Sequence, residues 1–276
     1  MTRSRVAALV GLCTIAWSVA AHAAVGHLKM LTYNIAGLPD GFMTAHPSSN
    51  VPQVGPLLAG YDLALLQEDF AYGLLLRSRV TLAHQSPPFV MGGQRGLGDG
   101  LSQFSKFGFS DLERTPWQAC HGLIDSYFDC LTPKGFTWSR LRLAEGVAVD
   151  VYNVHLDAGS SPADRKARAL QIQQLTEAVM SHSAGQAVLL AGDTNIRARE
   201  GLVETLERAT GLVDVCRKLQ CPEPRRIDRV FFRDSGALSW APRKWSLDRA
   251  FVDANHQPLS DHLAVAVELD WRSSVP

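Results

Sequence analysis

Carboxylates, amides and imidazoles recur at the ends of apolar runs in this chain. In order they are Asn34, Glu68, His155, Asp193 with Asn195, and Asp261 with His262. Asp228 sits just inside a sixth run, RIDRVFF. Any one of them reads as a turn residue, a helix cap or a satisfied imidazole. Together they form a pattern, because strand ends in mixed sheets can converge at one edge, where loops carry function. Carboxylates and an amide without thiolates make a hard oxygen site, suited to Mg2+, with Mn2+ or Ca2+ as alternatives, rather than to structural zinc. Two histidines beside such a site suit acid–base work near neutral pH.

The elements that must hold these groups are legible as short apolar runs. LSDHLAVAVEL, 259–269, is a strand buried on both sides whose first residues are an acid and an imidazole. Burying either without a partner would cost several kcal/mol. LKMLTYNI (28–35) reads as a strand ending near Asn34, and DLALLQ (62–67) as one delivering Glu68. Residues 101–107, 136–143, 147–154, 187–190 and 227–232 read as further strands, with 136–154 a hairpin across Ala144-Glu145-Gly146. A short helix is expected over 51–60, weakened by Pro56, and another over 202–209. Ser161-Pro162-Ala163-Asp164 looks like a helix start. Ala169, Ile172, Leu175 and Val179 then follow at steps of three or four. Strands and helices alternating alongside hairpins predict a layered α/β domain with mixed sheets.

The 276 residues, 46% hydrophobic and without linker or repeat, suit one domain. The 27 Lys+Arg balance 27 Asp+Glu, which argues against holding nucleic acid by bulk charge alone. Residues 1–23 read as a signal peptide: basic Arg3 and Arg5, an apolar run from Val6 to Ala20 too short to span a membrane, then Ala21-His22-Ala23. The expectation is a secreted or periplasmic chain covering 24–276. Cys120, Cys130, Cys216 and Cys221 then remain, an even count that suggests disulfides; closeness favours Cys120–Cys130 and Cys216–Cys221. No G-x-S-x-G elbow and no P-loop occur, and glycine-rich Gly93–Gly98 does not sit between a strand and a helix.

TYN (32–34), LQE (66–68), VHLDA (154–158), AGDTN (191–195), RIDRVF (226–231) and LSDH (259–262) resemble, in order, the signature motifs of the endonuclease/exonuclease/phosphatase superfamily. The resemblance implies a four-layer sandwich of two mixed sheets packed face to face with outer helices, like DNase I. It also implies a Mg2+-dependent phosphoesterase. By motif, Glu68 is then the main metal ligand with Asn34 and Asp261 close by. Asp193 and Asn195 orient the attacking water and the phosphate. His262, held by Asp228, acts as general base or phosphate contact, and His155 contacts the phosphate or assists the leaving group. Which of Asp193 and His262 takes the water's proton stays open.

Three stretches are similar to neutral sphingomyelinases: GDGLSQFSK (98–106), DCLTPKGF (129–136) with Cys120 upstream, and HLDA (155–158), where Asp157 replaces the family's Gln. They imply a phospholipid head group as substrate, favoured over DNA, with transient membrane contact and no obligate protein partner. Lys106 and Lys134 are singled out by these stretches, although most lysines are solvated. The long apolar hairpin of secreted sphingomyelinases is absent from the sequence. Trp240 and Trp245, flanking Arg243-Lys244 in what reads as a loop, either meet a membrane or pack on the core. A secreted DNase-type nuclease using Arg225, Arg226 and Arg229, and an inactive homologue that binds lipid or protein, are the alternatives.

Overall fold

The computed structural model describes residues 23–42, 46–89, 97–122 and 129–274. Residues 1–22, with the expected leader, and 90–96, with most of the glycine-rich stretch, lie outside the described residues. In chain order the elements are β1 (Val25–Asn34), α1 (Pro47–Leu57), β2 (Leu63–Gln67), α2 (Gly73–Arg77), β3 (His84–Gln85), β4 (Ser102–Ser105), β5 (Phe109–Pro116), β6 (Gly135–Ala144), β7 (Val147–His155), α3 (Pro162–His182), β8 (Val188–Asp193), α4 (Leu202–Thr210), β9 (Val213–Asp214), α5 (Val215–Lys218), β10 (Asp228–Arg233), β11 (Leu238–Asp248) and β12 (Ala264–Ser273).

They form two six-stranded sheets, ordered β11-β12-β1-β2-β4-β3 and β5-β6-β7-β8-β10-β9. β1 and β2 run parallel, as do β7 and β8, while the other pairings are antiparallel, so both sheets are mixed. Side chains alternate along a strand, so each strand feeds two cores. Leu28, Met30, Leu63, Leu65, Val265 and Val267 of the first sheet meet Leu141, Val149, Val151, Leu189, Ala191 and Val230 of the second. The opposite faces pack on helices. Leu31, Tyr33, Ala64, Leu66, Ala264 and Ala266 join Val51 and Val54 of α1. Tyr152, Val154, Val188, Leu190 and Phe231 join Ile172, Leu175 and Val179 of α3 and Val203 and Leu206 of α4. The result is the expected four-layer sandwich, and β12 is a strand buried on both sides as its sequence reads.

The differences are local. α1 begins at Pro47 and includes Pro52 and Pro56. Its lost backbone bonds are offset by burying Val51 and Val54, since tertiary packing rather than propensity supplies most helix stability. The Trp240 to Trp245 stretch is not a loop but part of β11. Trp240 is 6% exposed in the inter-sheet core and Trp245 packs against that core, so the packing alternative holds for both. β11 is an edge strand, which is where Pro242 and the register shift beside it can be accommodated. β5, another edge strand, is polar (FSDLERTP) and has no buried residue, so it carries no apolar run to read. Both expected disulfides, Cys120–Cys130 and Cys216–Cys221, are formed.

Candidate functional site

Between the sheets the lining changes character toward one edge. After the aliphatic core come buried amides and hydroxyls. Gln67 Nε2 donates to Asn153 Oδ1 at 2.7 Å and to Thr32 Oγ1 at 3.1 Å, and the Ser139 hydroxyl donates to Gln103 Oε1 at 2.9 Å. Two of these bonds cross from one sheet to the other. Beyond this polar seam lie the charged groups. Asn34 and Gln67 are paired in register, and Asp193 is flanked by His155 on one side and Asp228 on the other. Asn34, His155, Asp193 and Asp228 therefore sit at the ends of the same inter-sheet faces that bury the aliphatic core.

Two glycines permit this convergence. Gly192 has φ +152°, and a Cβ there would lie 1.9 Å from the Val154 carbonyl oxygen, so only glycine lets β8 approach β7 beside Asp193. A Cβ on Gly37 would lie 2.4 Å from the Glu68 carbonyl oxygen, which accepts the Gly37 N–H at 3.0 Å. Glu68 and Asn195 both occupy the left-handed region, at φ +59° and +50°. Non-glycine residues hold that conformation at a cost of about 1–3 kcal/mol, a strain that clusters at functional sites.

Asn34 Nδ2 donates to Glu68 Oε1 at 3.0 Å and to Asp193 Oδ2 at 3.1 Å, bridging one carboxylate from each sheet. His155 Nε2 lies 3.7 Å from Glu68 Oε1 and 3.6 Å from Asp193 Oδ2. The His262 Nδ1–H donates to Asp228 Oδ1 at 2.8 Å, and its Nε2 lies 3.7 Å from Asp193 Oδ2. Asp228 Oδ2 accepts from Arg226 Nη2 at 2.8 Å. Asn195 closes the circle: its N–H donates to Asp193 Oδ1 at 3.0 Å and its amide to the Leu156 carbonyl at 3.0 Å.

The two imidazoles are held in opposite states. Burial pushes His155 well below its ordinary value, helped by the charges of Lys134 and His262. Burial also opposes a charge on His262. The hydrogen bond and charge of Asp228, then Asp193 and Asp261, outweigh it and push that group up to about 10. Burial, and then the charge of Asp228, raises the Asp193 carboxyl. A neutral imidazole, an imidazolium and a carboxyl of raised pKa side by side are an acid–base set.

Seven of the eight expected residues are thus joined by direct contacts, Asn195 by its bond to Asp193 Oδ1. Asp261 differs. It is exposed, accepts from the Ser260 hydroxyl at 3.3 Å, and acts on His262 through its charge. Of the two lysines, Lys106 is exposed and pairs with Asp62, whereas Lys134 is buried and pairs with Asp129, whose other oxygen accepts the Ala158 N–H at 2.6 Å. Asp157 is fully buried and turned to Gln171 Nε2 and the His121 N–H. Three supporting contacts, though not their residues, escaped the sequence reading. Arg226 braces Asp228, and the Ser260 hydroxyl donates to the Asn34 carbonyl at 2.7 Å. Arg168, fully buried, donates to the carbonyls of residues 157–159 and pairs with Glu200 at 2.8 Å. Arg168, one turn before Ile172, takes the buried place that the apolar stripe of α3 assigned to Ala169, which is exposed.

A divalent cation fits this donor set. Asp228 is already matched by Arg226 and His262. Glu68 and Asp193, both bound by Asn34 Nδ2, have no cation in hydrogen-bond contact among the described residues. Asp193, Asp228 and His262 also offer ligand atoms within 4.8 Å of one another.

The family model described as "Endonuclease/Exonuclease/phosphatase family" matches residues 31–262. A sphingomyelinase of Mycobacterium tuberculosis is 31% identical over 265 residues, covering 88% of this chain and 52% of its own. The chain thus spans about half the length of that relative. Among solved structures, beta toxin from Staphylococcus aureus with bound magnesium ions superposes with a TM-score of 0.66 at 18% identity, covering 88% of this chain and 99% of that one. D. rerio TDP2 in complex with a single-strand DNA product gives 0.67 at 18% identity, covering 88% and 98%.

Proposed function

Because the chain belongs to the endonuclease/exonuclease/phosphatase family, we propose that it is a divalent-cation-dependent phosphodiesterase that cleaves a phospholipid head group, as a sphingomyelinase does. The observation that carries this reading is the pairing of two unlike halves. The Asp228–His262 dyad, 2.8 Å across, faces the Glu68–Asn34–Asp193 cluster, and its Nε2 stands 3.7 Å from Asp193 Oδ2. The likeness to a sphingomyelinase supports lipid over nucleic acid.

Glu68 would hold Mg2+, with Asn34 and Asp261 as further oxygen donors. The ion would neutralise charge developing on the phosphate oxygens. Asn34 Oδ1, which now accepts the Ala36 N–H at 3.0 Å, would serve once the amide turns. His262, held charged by Asp228, donates its Nε2–H to a phosphate oxygen. Asp193 accepts the proton of the attacking water, and Asn195 fixes that carboxylate. His155, neutral, contacts the phosphate. The reading includes export: residues 1–23 are removed after Ala23, and N-terminal sequencing of the exported protein checks it.

Purified protein assayed against sphingomyelin vesicles, DNA and a soluble phosphodiester, with Mg2+ or with EDTA, tests the assignment. The expected result is head-group release from sphingomyelin that EDTA abolishes. Glu68→Gln should lose it while keeping the wild-type melting temperature. Cleavage of DNA alone would select the nuclease, for which Arg225 in the cavity beside His262 is the supporting feature. No cleavage of any substrate would leave the inactive binding homologue.

A further inference from the structure

The loops that leave the site-bearing strands end on two kinds of surface. Past Asn34 the chain reaches Phe42, 65% exposed. Past Glu68 it enters α2, whose Leu74 and Leu75 are 75% and 50% exposed. The two loops are fastened together. The Ala71 N–H donates to the Gly37 carbonyl at 3.0 Å, and the Asp40 N–H to the Tyr72 hydroxyl at 3.0 Å. Only Leu76 of α2 is buried. Asp40, the acid on this loop, is engaged by Ser48.

On the other side of the site the surface is cationic. The loop after Asp193 carries Arg197 and Arg199, and the segment before Asp228 carries Arg225, all exposed. Arg165, at the start of α3, faces Arg199 across an open cleft. The Thr194 N–H donates to the Ile227 carbonyl at 2.9 Å, which holds the two arginine-bearing loops together. The neighbouring acids Glu200, Glu204 and Glu223 pair with Arg168, Arg217 and Arg226, and Asp261 is a further exposed acid on this side. The site therefore lies between a ledge of three apolar side chains and an arc of four arginines that form no ion pair among the described residues.

A single nucleic-acid strand would use the arc, but it would want aromatic faces for its bases and would leave two leucines in water. A bilayer surface uses both sides: apolar side chains bury at the acyl boundary and cationic ones meet lipid phosphates. We propose that this edge docks on an anionic phospholipid bilayer, with Phe42, Leu74 and Leu75 entering the acyl boundary and Arg165, Arg197, Arg199 and Arg225 pairing with lipid phosphates. Docking in that pose presents the site to head groups. The inference rests on the phospholipid reading of the site.

Co-sedimentation of the full chain with sphingomyelin–phosphatidylcholine vesicles, with and without phosphatidylserine, tests it. The triple variant Phe42→Ser, Leu74→Ser, Leu75→Ser should bind either vesicle about tenfold more weakly or worse. It should turn over a soluble phosphodiester at the wild-type rate. Alanine at the four arginines should remove the preference for phosphatidylserine. Leu74→Ser alone, at the most exposed position, should show a smaller loss of the same kind and serves if the triple variant does not fold. Unchanged vesicle binding in these variants overturns the proposal. So does an arginine variant that loses single-stranded DNA binding yet keeps its preference for phosphatidylserine vesicles. Wild-type binding without lipid hydrolysis would reject the substrate reading and leave the surface standing. Vesicle hydrolysis that survives the triple variant would do the reverse.

Discussion

Asp228 illustrates what a residue type can and cannot reveal. The resemblance of RIDRVF implies a partner for an imidazole, and Asp228 Oδ1 lies 2.8 Å from His262 Nδ1. Nothing in the motif reveals that Arg226 occupies its other oxygen. An acid behind an imidazole fixes its tautomer and stabilises its charged form. Asp228→Asn should therefore lower kcat about 10²–10⁴-fold, the usual worth of a positioned acid–base group. His262→Ala should do the same. Because the pair acts as a unit, the double variant should fall no further than the worse single one. Multiplying losses in kcat would show instead that the two act separately. Asn34 and Asp261 were legible as polar residues at strand ends. Their orientation was not, because which way an amide points, and how far a side chain stands from the core, depends on contacts from distant segments.

The strands that hold the site were legible where both faces are apolar. β1, β2, β8 and β12 each supply two cores, so their runs are continuous, as buried strands are. β5 and β11 escaped because edge strands mix polar and apolar residues on their open side. The sharpest demand at this scale falls on Gly192. An alanine there would place its Cβ within 2 Å of the Val154 carbonyl, where backbone cannot yield. Gly192→Ala should destabilise the protein by about 3 kcal/mol or more, in the range reserved for such backbone clashes, as read by urea denaturation. A loss below about 1 kcal/mol would mean that β8 can move away from β7 without harm. At the head of α3, Ser161 and Asp164 form a reciprocal cap, as Ser-Pro-Ala-Asp suggests. Ser161→Ala should cost about 1 kcal/mol, seen as a lower denaturation midpoint.

Across the whole molecule, mixed α/β layering was legible in strands alternating with helices and hairpins, the four layers only through the resemblance of the motifs, and the two disulfides in closely spaced cysteine pairs. The Cys120–Cys130 bond closes a short loop whose ends hold Asp129, on Lys134, and the His121 N–H, on Asp157. Chain-entropy arguments give a loop of that length about 2–3 kcal/mol. Replacing both cysteines by serine should lower unfolding free energy by that amount, and an unchanged midpoint would show that the loop is fixed by other contacts. A different consequence follows from where β12 sits. Strands β5 to β10 fall consecutively in the chain and make up the second sheet, whereas the first sheet joins strands from both ends of it. β12 fills the place between β11 and β1, and it follows every other strand of the two sheets in chain order. The imidazole that completes the site is carried just ahead of it. A nascent chain can assemble the sheet bearing His155, Asp193 and Asp228, and it already holds Glu68. It gains His262 only as the final gap in its neighbour closes. The site is thus whole only once the first sheet has closed, so its assembly and the closure of that sheet are one event.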